Sequence, residues 1–157
     1  MPLQRITIEE KHLDRISADL KNAVFAAELP LQHVFSNHLV LQGAGYIETA
    51  VKHVLSEYAR IHGDPRIRWF VERSVGHNNS LNCSKIQTVV DQFDTDWWSK
   101  VKEATSEEER EAVDSLKTLR DQIAHGKNNG TNFTTVADYC KKAKSFIRAF
   151  SRVVLGG

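Results

Sequence analysis

Apolar side chains recur every three or four positions through most of this chain, and no strand-like alternation persists for long. That spacing confines the fold to helices that each bury one stripe. Its clearest instances are Ile47, Val51, Val54, Leu55, Tyr58 and Ile61, then Ala112, Val113, Leu116, Leu119 and Ile123, and last Val136, Tyr139, Cys140, Ala143, Phe146, Ile147, Phe150 and Val154. Each set falls on one helix face at roughly 100° per residue. The predicted fold class is therefore all-α, a compact helical bundle of four or five main helices plus short helices. With 157 residues, 41% of them hydrophobic, the chain is long enough for one real core and short for two, so residues 1–157 read as a single helical domain.

Breakers and caps divide the pattern. A first helix over about 7–28 would turn Ile8, Leu13, Ile16, Leu20, Val24 and Ala27 inward, and Pro30 breaks it or starts the next. A short segment, 31–40, and a flexible Gly43-Ala44-Gly45 entry precede a helix over about 46–61. Gly63-Asp64-Pro65 closes that helix and opens another through Val75, before the turn Gly76-His77-Asn78-Asn79-Ser80. Asn82 or Ser84 would cap a short helix through Phe93, and Asp94-Thr95-Asp96 is a loop or a new cap before Trp97 and Trp98. The best-specified start is Ser106, followed three positions later by Glu109 in a capping box, with the run of glutamates from Glu107 at the positive helix end. That helix runs to Ala124, is stopped by Gly126 and Asn128-Asn129-Gly130, and a last helix follows from Phe133 to about Leu155.

Composition excludes several classes. Cys83 and Cys140 are the only cysteines and form no Cys-x-x-Cys arrangement, which argues against a disulfide scaffold or cysteine-rich zinc site and for a reducing compartment. No apolar run approaches the length of a membrane span, and the opening residues do not resemble a signal segment, so a soluble, cytoplasmic protein is expected. His33, His38, His53, His62 and His77 are dispersed without a compact metal-ligand signature, and Gly43-x-Gly45 lacks the pattern and lysine of a phosphate loop. No metal or cofactor is implied. Trp97 and Trp98 have acidic neighbours and suit packing or dimerisation better than stacking on RNA. The net charge of +1 averages two unlike regions. Residues 94–114 hold eight acidic and three basic side chains, whereas 120–157 hold seven basic and two acidic. The basic part could concentrate a polyanion, although Lys141, Lys142 and Lys144 also fit an ordinary solvated helix face.

The residues with most chemistry are Arg120-Asp121-Gln122-Ile123-Ala124-His125, with Gly126 next. Relative to Leu116 on the apolar stripe, Arg120 projects about 40° away, Asp121 about 140° and His125 about 180°. Arg120 therefore sits beside the core and needs a carboxylate, a subunit interface or a ligand phosphate. Asp121 and His125 lie one turn apart, so the carboxylate could orient the imidazole. Glu48, at the edge of its own stripe, could compensate Arg120 across the bundle. Tyr46 and Tyr139 could add hydroxyl contacts, though aromatics at helical spacing more often belong to a core.

Arginine, four intervening residues, histidine, a polar residue after the arginine, a glycine exit and a second long helix resemble the HEPN superfamily of small helical domains. The resemblance is most specific over residues 106–150, with weaker support from the Gly45-Tyr46-Ile47-Glu48 helix, and is closest to stand-alone bacterial members. It implies a metal-independent RNA endonuclease acting as a homodimer whose two motifs face a composite cleft. In that chemistry the ribose 2′-hydroxyl attacks phosphorus, leaving a 2′,3′-cyclic phosphate and a 5′-hydroxyl. His125 would move the proton, Arg120 would hold the phosphate, and Asp121 would orient His125 or shape the cleft, with Glu48 and Tyr46 as supporting residues. A toxin or antiviral effector with a protein antagonist fits this picture. The competing expectation is a noncatalytic dimeric binding or regulatory module paired with a separate nucleotidyltransferase or defence protein. No segment of this chain reads as a nucleotidyltransferase.

Overall fold

The computed structural model describes residues 2–127 and 130–156. Among them the periodic segments form seven helices and no strand: α1 (Pro2–Phe25), α2 (Leu29–His62), α3 (Pro65–Gly76), α4 (Cys83–Val90), α5 (Trp97–Ala104), α6 (Glu107–Ala124) and α7 (Phe133–Leu155). The four long helices build the bundle. α2 and α7 pack along each other, α6 lies against both, and α1 covers α2. Phe146, Phe150, Leu39, Ile47, Leu55, Leu116 and Ile147 are fully buried between them.

Local chemistry sets most boundaries. Asp64 caps α3 by accepting the Arg66 amide, and Asn82, of the two candidates, caps α4 by accepting that of Lys85. Both halves of the capping box form: Ser106 Oγ accepts the Glu109 amide at 3.1 Å, while the Glu109 carboxylate accepts the Ser106 amide at 2.9 Å. Trp97 and Trp98 are buried, and Trp97 meets Tyr58 edge-on at 4.7 Å and stacks on Phe93 at 5.9 Å. Their role is packing, which ties α5 to α2. The two asparagines of the expected Asn128-Asn129-Gly130 turn lie outside the described residues.

Two expectations are corrected. α1 begins at Pro2 and ends at Phe25, and its inward phase runs through Ile6, Leu13 and Val24, leaving Ile8 63% exposed. Residues two apart on a helix are about 200° apart, so burying Ile6 turns Ile8 outward. The second correction concerns Gly43-Ala44-Gly45, where no break occurs: 31–40 and 46–61 belong to one 34-residue α2. Gly43 is buried, and a methyl group there would stand 2.7 Å from Cys140 Sγ and 3.3 Å from Leu116. The glycine permits close approach of α6 and α7, and this packing outweighs its helix-propensity cost of about 1 kcal/mol. No described helix is long and apolar enough to cross a membrane.

Candidate active site

α6 is fixed at its start and released at its end. Arg110 clasps the α5–α6 loop, donating to the Thr105 carbonyl at 2.6 Å and its hydroxyl at 2.9 Å, and Asp114 accepts the Cys83 amide at 2.7 Å. At the other end Gly126 takes φ +67°, a left-handed conformation that suits a residue without Cβ. The Gly126 amide donates to Ile123 O at 3.0 Å and the Lys127 amide to Gln122 O at 2.8 Å. These two bonds form a Schellman closure, which satisfies the Gln122 and Ile123 carbonyls without side chains. His125, the C-cap, is exposed, and its imidazole bonds to no described residue.

One turn earlier, Arg120 and Lys117 help line a cavity of about 220 Å³ against α2, with Leu41, Gly45, Glu48 and Ser80 among the other walls. Three donors converge on the Asp121 carboxylate: Lys117 at 2.5 Å, Ser80 Oγ at 2.8 Å and Arg120 at 3.4 Å. Lys117 foremost, and then Ser80, hold the Asp121 carboxyl well below its ordinary range, at about 2, with slight burial opposing them. On the facing helix, Glu48 accepts from Lys52 Nζ and from the Ser80 amide, both at 3.0 Å. Ser80 thus joins the carboxylates of α2 and α6 through its amide and hydroxyl. It is the one non-glycine residue among those described with positive φ, at 55°. Such a conformation costs energy and persists where surrounding bonds determine it.

The Arg120 side chain is 39% exposed, and one nitrogen makes the long contact to Asp121. Its five N–H donors leave capacity for an anion in the cavity. Around the site, Lys52, Lys117 and Arg120 stand against Glu48 and Asp121, so the local balance is positive. Of the three lysines of α7, Lys141 is exposed and two are paired. Lys142 pairs with Asp138 at 2.9 Å and Glu108 at 3.2 Å, and Lys144 pairs with Asp14.

The sequence-derived candidates separate in space. Arg120, Asp121 and Glu48 gather about one cavity. In the single chain Asp121 spends its oxygens on Lys117, Ser80 and Arg120 rather than the His125 imidazole, which supports the cleft-shaping role. Glu48 shares a wall with Arg120, but its oxygens face Lys52 and Ser80. Tyr46 points elsewhere: its hydroxyl donates to Glu10 at 3.4 Å, and Arg148 grips Glu10 at 3.0 and 2.9 Å. Burial and Glu10 push the Tyr46 phenol's pKa up, so it stays protonated. Tyr139 lines a separate groove with Asp114 and Thr118. Both cysteines are buried and free, their thiols pushed up to about 12 chiefly by burial. Lys117 and Ser80 at the cavity, and Lys52 bonded to its Glu48 wall, went unsingled in the sequence. The i,i+4 spacing of Lys117 and Asp121 was a readable signal.

A second concavity, about 640 Å³, lies beside the α6 exit between Ile123, Gly126 and Lys127 on one side and Leu29, Pro30 and Val34 of α2 on the other. It is open to solvent and mixed in character: His33, Asn37 and Lys127 are polar walls, while Leu29 is 71% and Val34 58% exposed, with Phe25 close by in sequence at 79%.

No curated protein and no solved structure matches this chain. The model of the RiboL-PSP-HEPN family matches residues 4–155, from the first turns of α1 to the end of α7. On that coverage, with the all-helical architecture in agreement, the chain belongs to the RiboL-PSP-HEPN family of the HEPN superfamily.

Proposed function

We propose that the protein is a metal-independent RNA endonuclease that acts as a homodimer, its two α6 ends bordering one cleft. The observation that carries this reading is the pairing of the Arg120 cavity with an exposed histidine five residues on, its imidazole bonded to no described residue, at a helix exit closed by backbone bonds to the Gln122 and Ile123 carbonyls. Arg120, supported by Lys117, holds the nonbridging oxygens of the scissile phosphate and stabilises the charge that grows on them in the transition state. A neutral His125 imidazole takes the proton from the 2′-hydroxyl as its oxygen attacks phosphorus. A protonated imidazole from the second copy gives a proton to the departing 5′-oxygen. The products are a 2′,3′-cyclic phosphate and a 5′-hydroxyl. Asp121 keeps Lys117 and Arg120 in place, and Glu48 holds Ser80 against them. The exposed Leu29 and Val34 beside the α6 exit supply apolar surface for a second copy.

One observation favours a second reading. Arg120 already has a carboxylate neighbour, and His125 faces solvent in the single chain, as suits a binding or regulatory module serving a nucleotidyltransferase or defence protein. The two readings part on cleavage. Purified wild type and His125→Ala are incubated in EDTA with total RNA and defined single strands, and the product ends are identified. Cleavage by wild type alone, leaving cyclic phosphates, is the expected result. Equal turnover by both proteins sinks the mechanism, and no turnover by a folded wild-type dimer favours the regulatory module.

A further inference from the structure

The outer face of α3 takes no part in the core or in the Arg120 cavity. It leaves Trp69 63% and Phe70 72% exposed, with Ile67 beside them at 57%. A tryptophan and a phenylalanine side by side in water mark a surface that something covers. The two rings share a concavity of about 430 Å³ with Pro65, Arg66 and Arg73. The Arg73 guanidinium lies 4.9 Å from the centre of the Trp69 ring, a cation–π contact that orders both side chains. Arg68, on the same helix, pairs with Glu72 at 2.9 Å, whereas Arg66 and Arg73 have no carboxylate partner among the described residues.

This chemistry selects the occupant. A second copy docked by the same face would bring four uncompensated guanidiniums together, and like charges at an interface oppose association. A single-stranded nucleic acid resolves both features, since its bases offer π faces to the rings and its phosphates match the arginines. Position agrees. α3 leads through a short turn to Ser80, which walls the Arg120 cavity, and the seven steps from Trp69 to Gly76 rise only about 10 Å.

We propose that the outer face of α3 is a binding platform for single-stranded RNA, on which bases beyond the two joined by the scissile linkage stack against Trp69 and Phe70 while Arg66 and Arg73 take adjacent phosphates. The proposal rests on the RNA reading of the Arg120 site and adds the path of the strand beyond it. It requires no change in the cleavage step itself.

The test compares the full chain with a Trp69→Ala/Phe70→Ala variant, both substitutions being at exposed positions, and with Trp69→Phe as the conservative control. The probes are a labelled twelve-nucleotide oligouridine, read by anisotropy, and a uridylyl dinucleotide, read by cleavage. Affinity for the oligouridine should fall about tenfold or more in the double variant and stay near wild type in Trp69→Phe. Dinucleotide turnover should not change. An Arg66→Gln/Arg73→Gln variant should flatten the salt dependence of log affinity by about 1.4, the loss of two single-strand phosphate contacts. Unchanged oligouridine affinity in the double variant overturns the platform and leaves the nuclease reading intact. Conversion of a wild-type dimer to monomer by the double substitution overturns it in favour of a protein interface. Aromatic-dependent oligouridine binding by a wild type that cleaves nothing supports the platform while the nuclease reading falls.

Discussion

At Asp121 three donors meet one carboxylate, and their unequal strengths give its titration a signature. A group whose folded pKa lies below the unfolded value of about 4 stabilises the fold above that value and loses the contribution as pH falls through its folded midpoint, here about 2. Carbon-detected NMR should find that midpoint near 2. Ser80→Ala should move it upward, and Lys117→Met should move it further, because the lysine bond is the larger cause. The side chain is 32% exposed, so solvent screening keeps the associated stability small. Kinetics separate the motif's other members. His125→Ala should lower turnover about 10²- to 10⁴-fold in the cleavage assay, the usual contribution of a proton-transfer group. Arg120→Lys should also lose turnover despite keeping its charge, because an ammonium lacks the forked donor array. The neighbourhood of Arg120 and Asp121 was readable because the two are adjacent in sequence on a well-phased helix. Ser80 was not, since its link to Asp121 spans 41 positions and serine gives no advance sign of positive φ.

Among the elements, α2 gives the sharpest contrast between neighbouring positions. Gly45→Ala should stabilise the protein by about 0.5–1 kcal/mol, since the new methyl group meets nothing within 4 Å and the helix gains propensity. Gly43→Ala adds the same methyl against Cys140 and Leu116, and overpacking of about 1–3 kcal/mol should outweigh that gain. Chemical denaturation should show the opposite signs, and Cys140→Ala should recover part of the Gly43→Ala loss by making room. Helix existence was legible almost throughout, and the capping box, the Asn82 cap and the long α7 stripe placed ends well. What misled was local punctuation. Two glycines within three residues look like an opening in the chain, yet the fold uses one for contact between helices distant in sequence, and no local pattern reports that contact.

For the whole molecule, the class of fold follows from periodicity, while the assembly does not, because an apolar stripe facing solvent reads the same as one facing a core until the bundle is built. Leu29 and Val34 are such residues. On the homodimer reading, a Leu29→Glu/Val34→Glu variant should elute as a folded monomer by light-scattering chromatography and lose RNA cleavage. A dimer that survives both charges moves the proposed interface elsewhere. The continuity of α2 carries a further consequence. The same rod borders the second concavity at Leu29 and the Arg120 cavity at Glu48, and Gly43, where it could most easily flex, is wedged against α6 and α7. On the homodimer reading, that wedge denies α2 a hinge at Gly43 and leaves the gap offered to a substrate to how the two copies meet, which makes subunit association the natural point of control.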